Sequence, residues 1–542
     1  MPLGFLDYCG QSFDLAIAVT CAAVIALAAV PSADAQNRPF VPGGFEDEGL
    51  VLPPKETLDA AAPVVVRVDN HAKGHPVHHA ILGTNHVWYW SERFAGVAPG
   101  EFNQAYFDAL KGFPMPLARM AGTDSQMFNW RLAVGPLDQR TIQKTRNHDR
   151  KPNHINYGPL EWVESMMAFN PNVRFAWVLN FLEDTPQDHG DLAELLVGIV
   201  GENRNGGKDW AKVRADYGLT EPIDIQVWEL ANELEHDRWE VTYEMYRDWC
   251  INAIKAIRKI DPDAQFAALA ATSPWRPTRD PNVDWRKWHR DILRDFGNDL
   301  DYLVFHPYYH GVHTVHMDRY MGEIEKDIVK AFGTERIKLY ISEHARWPSR
   351  SDPTHTHPRG VLQSVETHNL EGTLATSEFL NQMFNNSMVT AAGYHSLSGG
   401  PWHVINQHRP SGEFYTTGIY DLFVFYDQAL GDRVLPTQNR GKQTDLTDRS
   451  LSFTSLAMAD GEAIHLLLTN RDGEFGRTAR IELTGQYNIT SCRVLTGDDL
   501  QSFNGHNRKQ IGVAEPPVDG LSLDSFYVPP HSIVMLRLEL NQ

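Results

Sequence analysis

The chain has 542 residues, 42% hydrophobic and 22% charged; these globular values exclude a disordered or low-complexity protein and suit two domains better than one. With 49 Lys and Arg against 69 Asp and Glu the formal charge is −20, and no basic run offsets it, which argues against nucleic acid as a partner. Aromatic residues make up 11% of the chain, enough for large cores and for rings that stack on sugars.

In chain order, the first element is the apolar stretch from Leu15 to Val30, followed by the small-residue site Ala33-Asp34-Ala35. It falls short of the ~20 residues of a membrane span and reads as a secretory signal over residues 1–35, although its leading part carries Asp7 and Asp14 and no Lys or Arg. The predicted location is secreted or periplasmic, with no membrane span after removal of the signal; retention as an anchor is the alternative. Only Cys250 and Cys492 lie beyond it, too few for a disulfide framework.

Residues 36–76 form an N-terminal arm, rich in Pro and Gly up to residue 60, and a strand over Val64–Val68 predicted to join the C-terminal sheets. Eight apolar runs follow, at 79–86, 116–122, 173–180, 225–232, 264–271, 301–307, 337–343 and 388–396, with amphipathic stretches between them. Runs this short and this apolar suit strands buried on both faces. The clearest helix is Tyr246–Ile260, with Tyr246, Trp249, Cys250, Ala253, Ile254 and Ile257 at helical spacing and a stop before Asp261-Pro262. Eight such repeats predict a (β/α)8 barrel over 77–408. No G-x-G-x-x-G follows any strand, which disfavours a doubly wound sheet. Beyond it, short alternating strands between Gly, Asp and Asn turns predict an all-β sandwich over 409–542.

A barrel of this kind presents its chemistry at the C-terminal ends of its strands. Strand 4 ends in Asn232-Glu233 and strand 7 in Ser342-Glu343-His344, so two carboxylates leave the barrel at one rim. Glycosidic hydrolysis needs such a pair, one acid to protonate the leaving oxygen and one carboxylate at the anomeric carbon. Strand 6 adds His306 and Tyr308, strand 2 adds Arg119 to hold a carboxylate ionised, and strand 8 leads to Tyr394, His395 and Trp402, a candidate sugar platform. Trp88 and Trp90 after strand 1 are weaker candidates, and Glu229 reads as pointing into the barrel wall. His75, His78, His79, His355 and His357 lack the spacing of a metal site, and no metal or other cofactor is expected.

On these residues the chain resembles the α-L-arabinofuranosidases of glycoside hydrolase family 51, in the superfamily of retaining (β/α)8 glycosidases. Residues 117–140, 156–181 and 210–233 parallel that family's strand 2, 3 and 4 regions, and 494–507 and 526–540 its C-terminal sandwich. The resemblance implies Glu233 as acid/base, Asn232 as a contact to the sugar 2-hydroxyl, Glu343 as nucleophile and Tyr308 as its partner. The chain departs from the family in having Ala231-Asn232-Glu233 for Gly-Asn-Glu, Ser342-Glu343-His344 for Asp-Glu-Trp, and Thr123-Asp124 where an asparagine helps to hold the sugar. Asp124 is accordingly a candidate substrate contact in a divergent member or sister family. The predicted partner is a plant or algal carbohydrate, and an oligomer is possible. A β-glycosidase, an endo-acting agarase, glucanase or xylanase, or a non-catalytic carbohydrate-binding protein are the alternatives.

Overall fold

A computed structural model describes residues 63–541 apart from 87–95, 99–100, 121, 142, 144–154, 156, 237–238, 271–284, 310–313, 347–364, 399–401 and 442–450. The leader-like segment, most of the arm, Trp88, Trp90, His355 and His357 lie outside the described residues.

Each of the eight apolar runs contains a strand, and the eight close into one parallel barrel. In chain order they are Gly83–His86, Leu117–Met120, Arg174–Val178, Ile225–Glu229, Phe266–Leu269, Tyr302–Val304, Lys338–His344 and Val389–Tyr394, numbered here as barrel strands 1 to 8. The front of the first run, His79–Leu82, is a 3-10 turn instead of strand. The predicted helix is Tyr243–Arg258; Thr242 caps it by accepting from the Met245 amide, and Tyr246, Cys250, Ala253, Ile254 and Ile257 form its buried stripe. Barrel and helices share one core through residues such as Trp162, Trp177 and Trp228.

The C-terminal segment adds two sheets, one of four strands and one of seven. Val64–Val68 enters the smaller sheet, parallel to Arg477–Glu482 and antiparallel to Thr437–Arg440. Alternation explains why the central strands of the larger sheet are apolar throughout. Leu466, Leu468, Leu536 and Leu538 face the smaller sheet, whereas Leu467, Ile533 and Met535 belong to the core shared with the barrel. The sheet is thus a shared wall. The segment predicted as all-β also holds a helix, Gly418–Asp427, whose buried Ile419, Leu422, Phe423, Phe425 and Tyr426 extend the barrel core. Its run of apolar residues has no clear period, which hid it from periodicity. Cys250 and Cys492 are both buried and free. Among the described residues no helix is long and apolar enough to cross a membrane.

Candidate active site

Arg119 is the centre of the barrel's polar rim. It lies on strand 2 in register with Asn85 of strand 1 and Ala176 of strand 3, and it is fully buried. A buried guanidinium needs anionic partners, and the fold supplies three acceptors. Arg119 Nε and Nη2 grip the Glu229 carboxylate at 2.6 and 2.5 Å, Nη1 donates to Glu343 Oε1 at 2.9 Å, and Nη2 reaches Asn232 Oδ1 at 2.9 Å. Glu229 is therefore an inward ligand of the cation, contrary to its reading as part of the wall. A carboxylate in an otherwise apolar strand is itself the sign of a buried partner.

After Glu229 the chain turns out of the barrel through strained backbone. Ala231 and Glu233 both adopt positive φ, +76° and +51°, a region that costs a non-glycine residue ~1–2 kcal/mol. The turn leaves Asn232 buried against Arg119 and sends Glu233 toward the rim opening, its side chain 16% exposed. Strand 7 departs from regularity too. Its register against strand 8 shifts between Ile341 and His344, so the consecutive side chains of Ser342 and Glu343 both enter the network, where strict alternation would separate them. Gly393 on strand 8 makes room: a Cβ there would stand 2.6 Å from Asn85 Oδ1 and 2.7 Å from the Ser342 carbonyl.

Strand 6 brings the remaining donors. Beyond Val304 the chain stays beside strand 7 through a bridge between Tyr308 and Ala345, which sets the Tyr308 hydroxyl donating to Glu343 Oε2 at 2.6 Å. His306 spans the pair: Nδ1 is 3.4 Å from Glu233 Oε1, and Nε2 is 2.7 Å from Ser342 Oγ, which donates to Glu229 at 3.1 Å. One oxygen of Glu233 and one of Glu343 lie within 4.8 Å of each other and of a His306 nitrogen.

The charges follow from this packing. Burial disfavours an ionised Glu343, but His306, His395 and Arg119 outweigh it and hold the carboxyl down at about 2. Burial likewise opposes a charged His306, and Glu343, Glu229 and Glu233 overcome it, raising the imidazole to about 10. Glu229 is also held below its usual range, its burial offset by Arg119 and His306. His395 moves the other way, lowered chiefly by burial despite Glu343 nearby. The trio Glu233, His306 and Glu343 is close enough to hold a metal ion. Their chemistry does not fit one, since His306 is a cation at neutral pH and both Glu343 oxygens already accept from Arg119 and Tyr308.

Trp402 is mostly buried, its Nε1 donating to the Arg346 carbonyl at 2.6 Å and its ring packed 5.1 Å from Tyr308 and 5.2 Å from His395. These three rings form a wall beside Glu343, and the His395–Ser396 peptide in it is cis. Asp124 lies in the 3-10 turn Thr123–Met127 after strand 2, 7% exposed. Among the described residues, the candidates named from strand ends thus fall on the barrel's C-terminal side, while Trp88 and Trp90 lie outside the described residues. Sequence reasoning missed Ser342, whose place in the network depends on the bulge, and His236, whose Nδ1 stands 3.4 Å from Glu233 Oε2.

No family model matches the chain. It is 22% identical over 442 residues to the intracellular exo-α-(1→5)-L-arabinofuranosidase 1 of Bacillus subtilis (strain 168), a match covering 74% of this chain and 82% of that one. It is also 22% identical over 478 residues to a probable α-L-arabinofuranosidase C of Aspergillus fumigatus, covering 80% and 88%. In fold, it matches the crystal structure of the family 51 arabinofuranosidase from Xanthomonas axonopodis pv. citri with a TM-score of 0.74 at 17% identity, over 88% of this chain and all of that one. The chain is thus similar in sequence to α-L-arabinofuranosidases and shares its fold with the family 51 arabinofuranosidases. A xyloglucanase of family 44 from Paenibacillus polymyxa shares the architecture less closely, with a TM-score of 0.55 at 13% identity.

Proposed function

We propose that the protein is a retaining glycoside hydrolase of the α-L-arabinofuranosidase type, with Glu343 as nucleophile and Glu233 as acid/base. The observation that carries this reading is the approach of the two carboxylates to within 4.8 Å, oxygen to oxygen, at the ends of strands 4 and 7. Retaining enzymes hold their carboxyl groups ~5–5.5 Å apart, whereas inverting ones leave ~6.5–9.5 Å for a water.

The charge balance supports the division of labour. Glu229, Glu233 and Glu343 share two cations, Arg119 and His306. With Glu229 and Glu343 ionised, the group is neutral when Glu233 carries a proton, the state an acid needs at the start. Glu343 then attacks the anomeric carbon while Glu233 protonates the departing oxygen. In the second step Glu233 takes a proton from water as it displaces Glu343, and the sugar leaves with its configuration retained. Arg119 occupies the Asn232 carbonyl oxygen, which leaves the amide NH2 to donate to the sugar 2-hydroxyl. Tyr308, Trp402 and His395 supply an aromatic wall for the ring, and Asp124, in the turn after strand 2, is a further candidate contact to the sugar. The barrel over 77–408 carries the reaction and the sandwich over 409–542 supports it. The leader-like residues 1–35 support export, which N-terminal sequencing of the protein from culture medium or periplasm tests through a start at Gln36.

Aryl glycosides test the chemistry. Glu343→Ala abolishes turnover of every substrate. Glu233→Ala lowers kcat/KM by ~10²–10⁴-fold on poor leaving groups and far less on activated ones, and azide restores turnover with a glycosyl azide of retained configuration. An inverted first product by NMR, or the two variants exchanging behaviour, overturns the assignment. An arabinofuranoside is the preferred glycone in a panel with xyloside, galactoside and glucoside.

A further inference from the structure

We infer that His236 is a positioning residue that holds the acid/base Glu233 and sets the pH at which it loses its proton. This rests on the reading of Glu233 as the acid.

The geometry comes from the turn after strand 4. The His236 amide donates to the Glu233 carbonyl at 3.2 Å, closing a turn that folds the imidazole back over the preceding carboxylate. His236 Nδ1 stands 3.4 Å from Glu233 Oε2, while His306 Nδ1 stands 3.4 Å from Oε1. The carboxyl is thus bracketed, one imidazole to each oxygen, with His306 hydrogen-bonded to Oε1 and the His236 ring at ion-pair distance from Oε2. The two rings differ in what lies behind them. His306 is backed by Ser342 and Glu229 inside the barrel. His236 is backed by Glu235, whose Oε1 lies 3.5 Å from its Nε2.

Glu235 gives His236 its function. All three side chains are largely withdrawn from solvent, at 16%, 9% and 6% exposure for Glu233, His236 and Glu235, so their charges are poorly screened. A carboxylate behind the ring favours the imidazolium whether or not Glu233 is ionised. The cation in turn favours the ionised Glu233 and lowers its pKa, against the push of Glu343 on the other side. Among the described residues the titratable groups facing Glu233 include Glu343, whose charge opposes its ionisation, the imidazoles of His306, His236 and His395, which favour it when protonated, and the Tyr308 phenol. Arg119 acts on it through Glu343, whereas Tyr308, which donates to Glu343, also faces Glu233 directly. Because the second step needs Glu233 as a base, a ring that stops its pKa from rising too far serves the whole cycle.

The test compares His236→Gln, which keeps a donor and loses the charge, with His236→Lys, which restores a charge at that place. Melting curves establish that both are folded. With a poor leaving group, the alkaline limb of the kcat/KM profile reports the Glu233 proton. It is expected to move up by about one pH unit in His236→Gln, the lower end for loss of a neighbouring opposite charge, and to return toward the parent in His236→Lys. A limb unmoved in His236→Gln, or moved equally in both variants, overturns the inference. Glu233→Ala is run beside them. If it lacks leaving-group dependence and azide rescue, the acid assignment itself fails, whereas normal Glu233→Ala behaviour with an unmoved His236→Gln limb removes only the role of His236.

Discussion

At the top of the barrel, Arg119, Glu229, His306 and Glu343 are buried together, whereas the equally buried neighbours between the two C-terminal sheets include Leu466, Leu468, Leu536 and Leu538. The sheets lose little if one partner is trimmed beyond the contacts and the cavity that results. The rim is different, because each of its charges is tolerated only through the others. Removing one partner of a buried ion pair strands the rest, and the cost is that of an uncompensated charge. The barrel rim thus holds charges that depend on one another, whereas the sandwich holds apolar contacts that do not.

The largest effect is expected from truncating both regions. Arg119→Met leaves Glu229 and Glu343 without their shared cation and should cost ~3–5 kcal/mol in urea denaturation, together with loss of turnover. Leu536→Ala should cost a similar ~2–5 kcal/mol through transfer and cavity terms, yet leave kcat/KM per folded molecule unchanged. A stable Arg119→Met, or a Leu536→Ala variant with an altered pH optimum, would break the contrast.

A second pair of outcomes is smaller and depends on pH. His306 is raised in the folded state from 6.5 to about 10. Its contribution to stability is therefore complete below pH 6.5 and is lost as the pH climbs through about 10. Glu343 is depressed from 4.5 to about 2, so its contribution is present above pH 4.5 and is lost on acidification through about 2. Urea midpoints measured upward from neutral pH should thus decline in the parent and in Leu536→Ala, and decline less in His306→Gln. Equal slopes in all three proteins count against a charged His306. Tyr308→Phe removes the donor to Glu343 Oε2 and should shift the acid limb of activity to higher pH, with about a tenfold loss on that limb.

The smallest effect belongs to Ala231. Its φ of +76° costs a residue with a Cβ ~1–2 kcal/mol, while glycine loses ~0.5–1 kcal/mol in chain entropy. Ala231→Gly should therefore stabilise by ~0–1.5 kcal/mol, read as a small rise in the urea midpoint. A clear loss of stability would show that the Cβ packing outweighs the backbone strain.

Much of the fold was legible because barrel strands buried on both faces are short and apolar, and amphipathic helices such as Tyr243–Arg258 carry a strong period. Glu233 and Glu343 were legible for a related reason. A polar residue that interrupts an apolar run at its C-terminal end falls on one rim of any parallel barrel. Glu229 escaped because alternation alone does not say whether a side chain faces the barrel axis or its wall. The helix Gly418–Asp427 escaped because it is apolar on nearly every side, a pattern that a buried strand shares.

The sequence by itself determined the order of elements, the barrel class and the two carboxylates at strand ends, since these depend on period and on local breaks in apolar runs. Only the tertiary structure decided which charges meet. Arg119 is 110 residues from Glu229 and 224 from Glu343, and no local pattern records that barrel closure brings all three together. The inward turn of both Ser342 and Glu343 was likewise decided by a register shift against strand 8, a property of the pairing between strands and not of either strand alone.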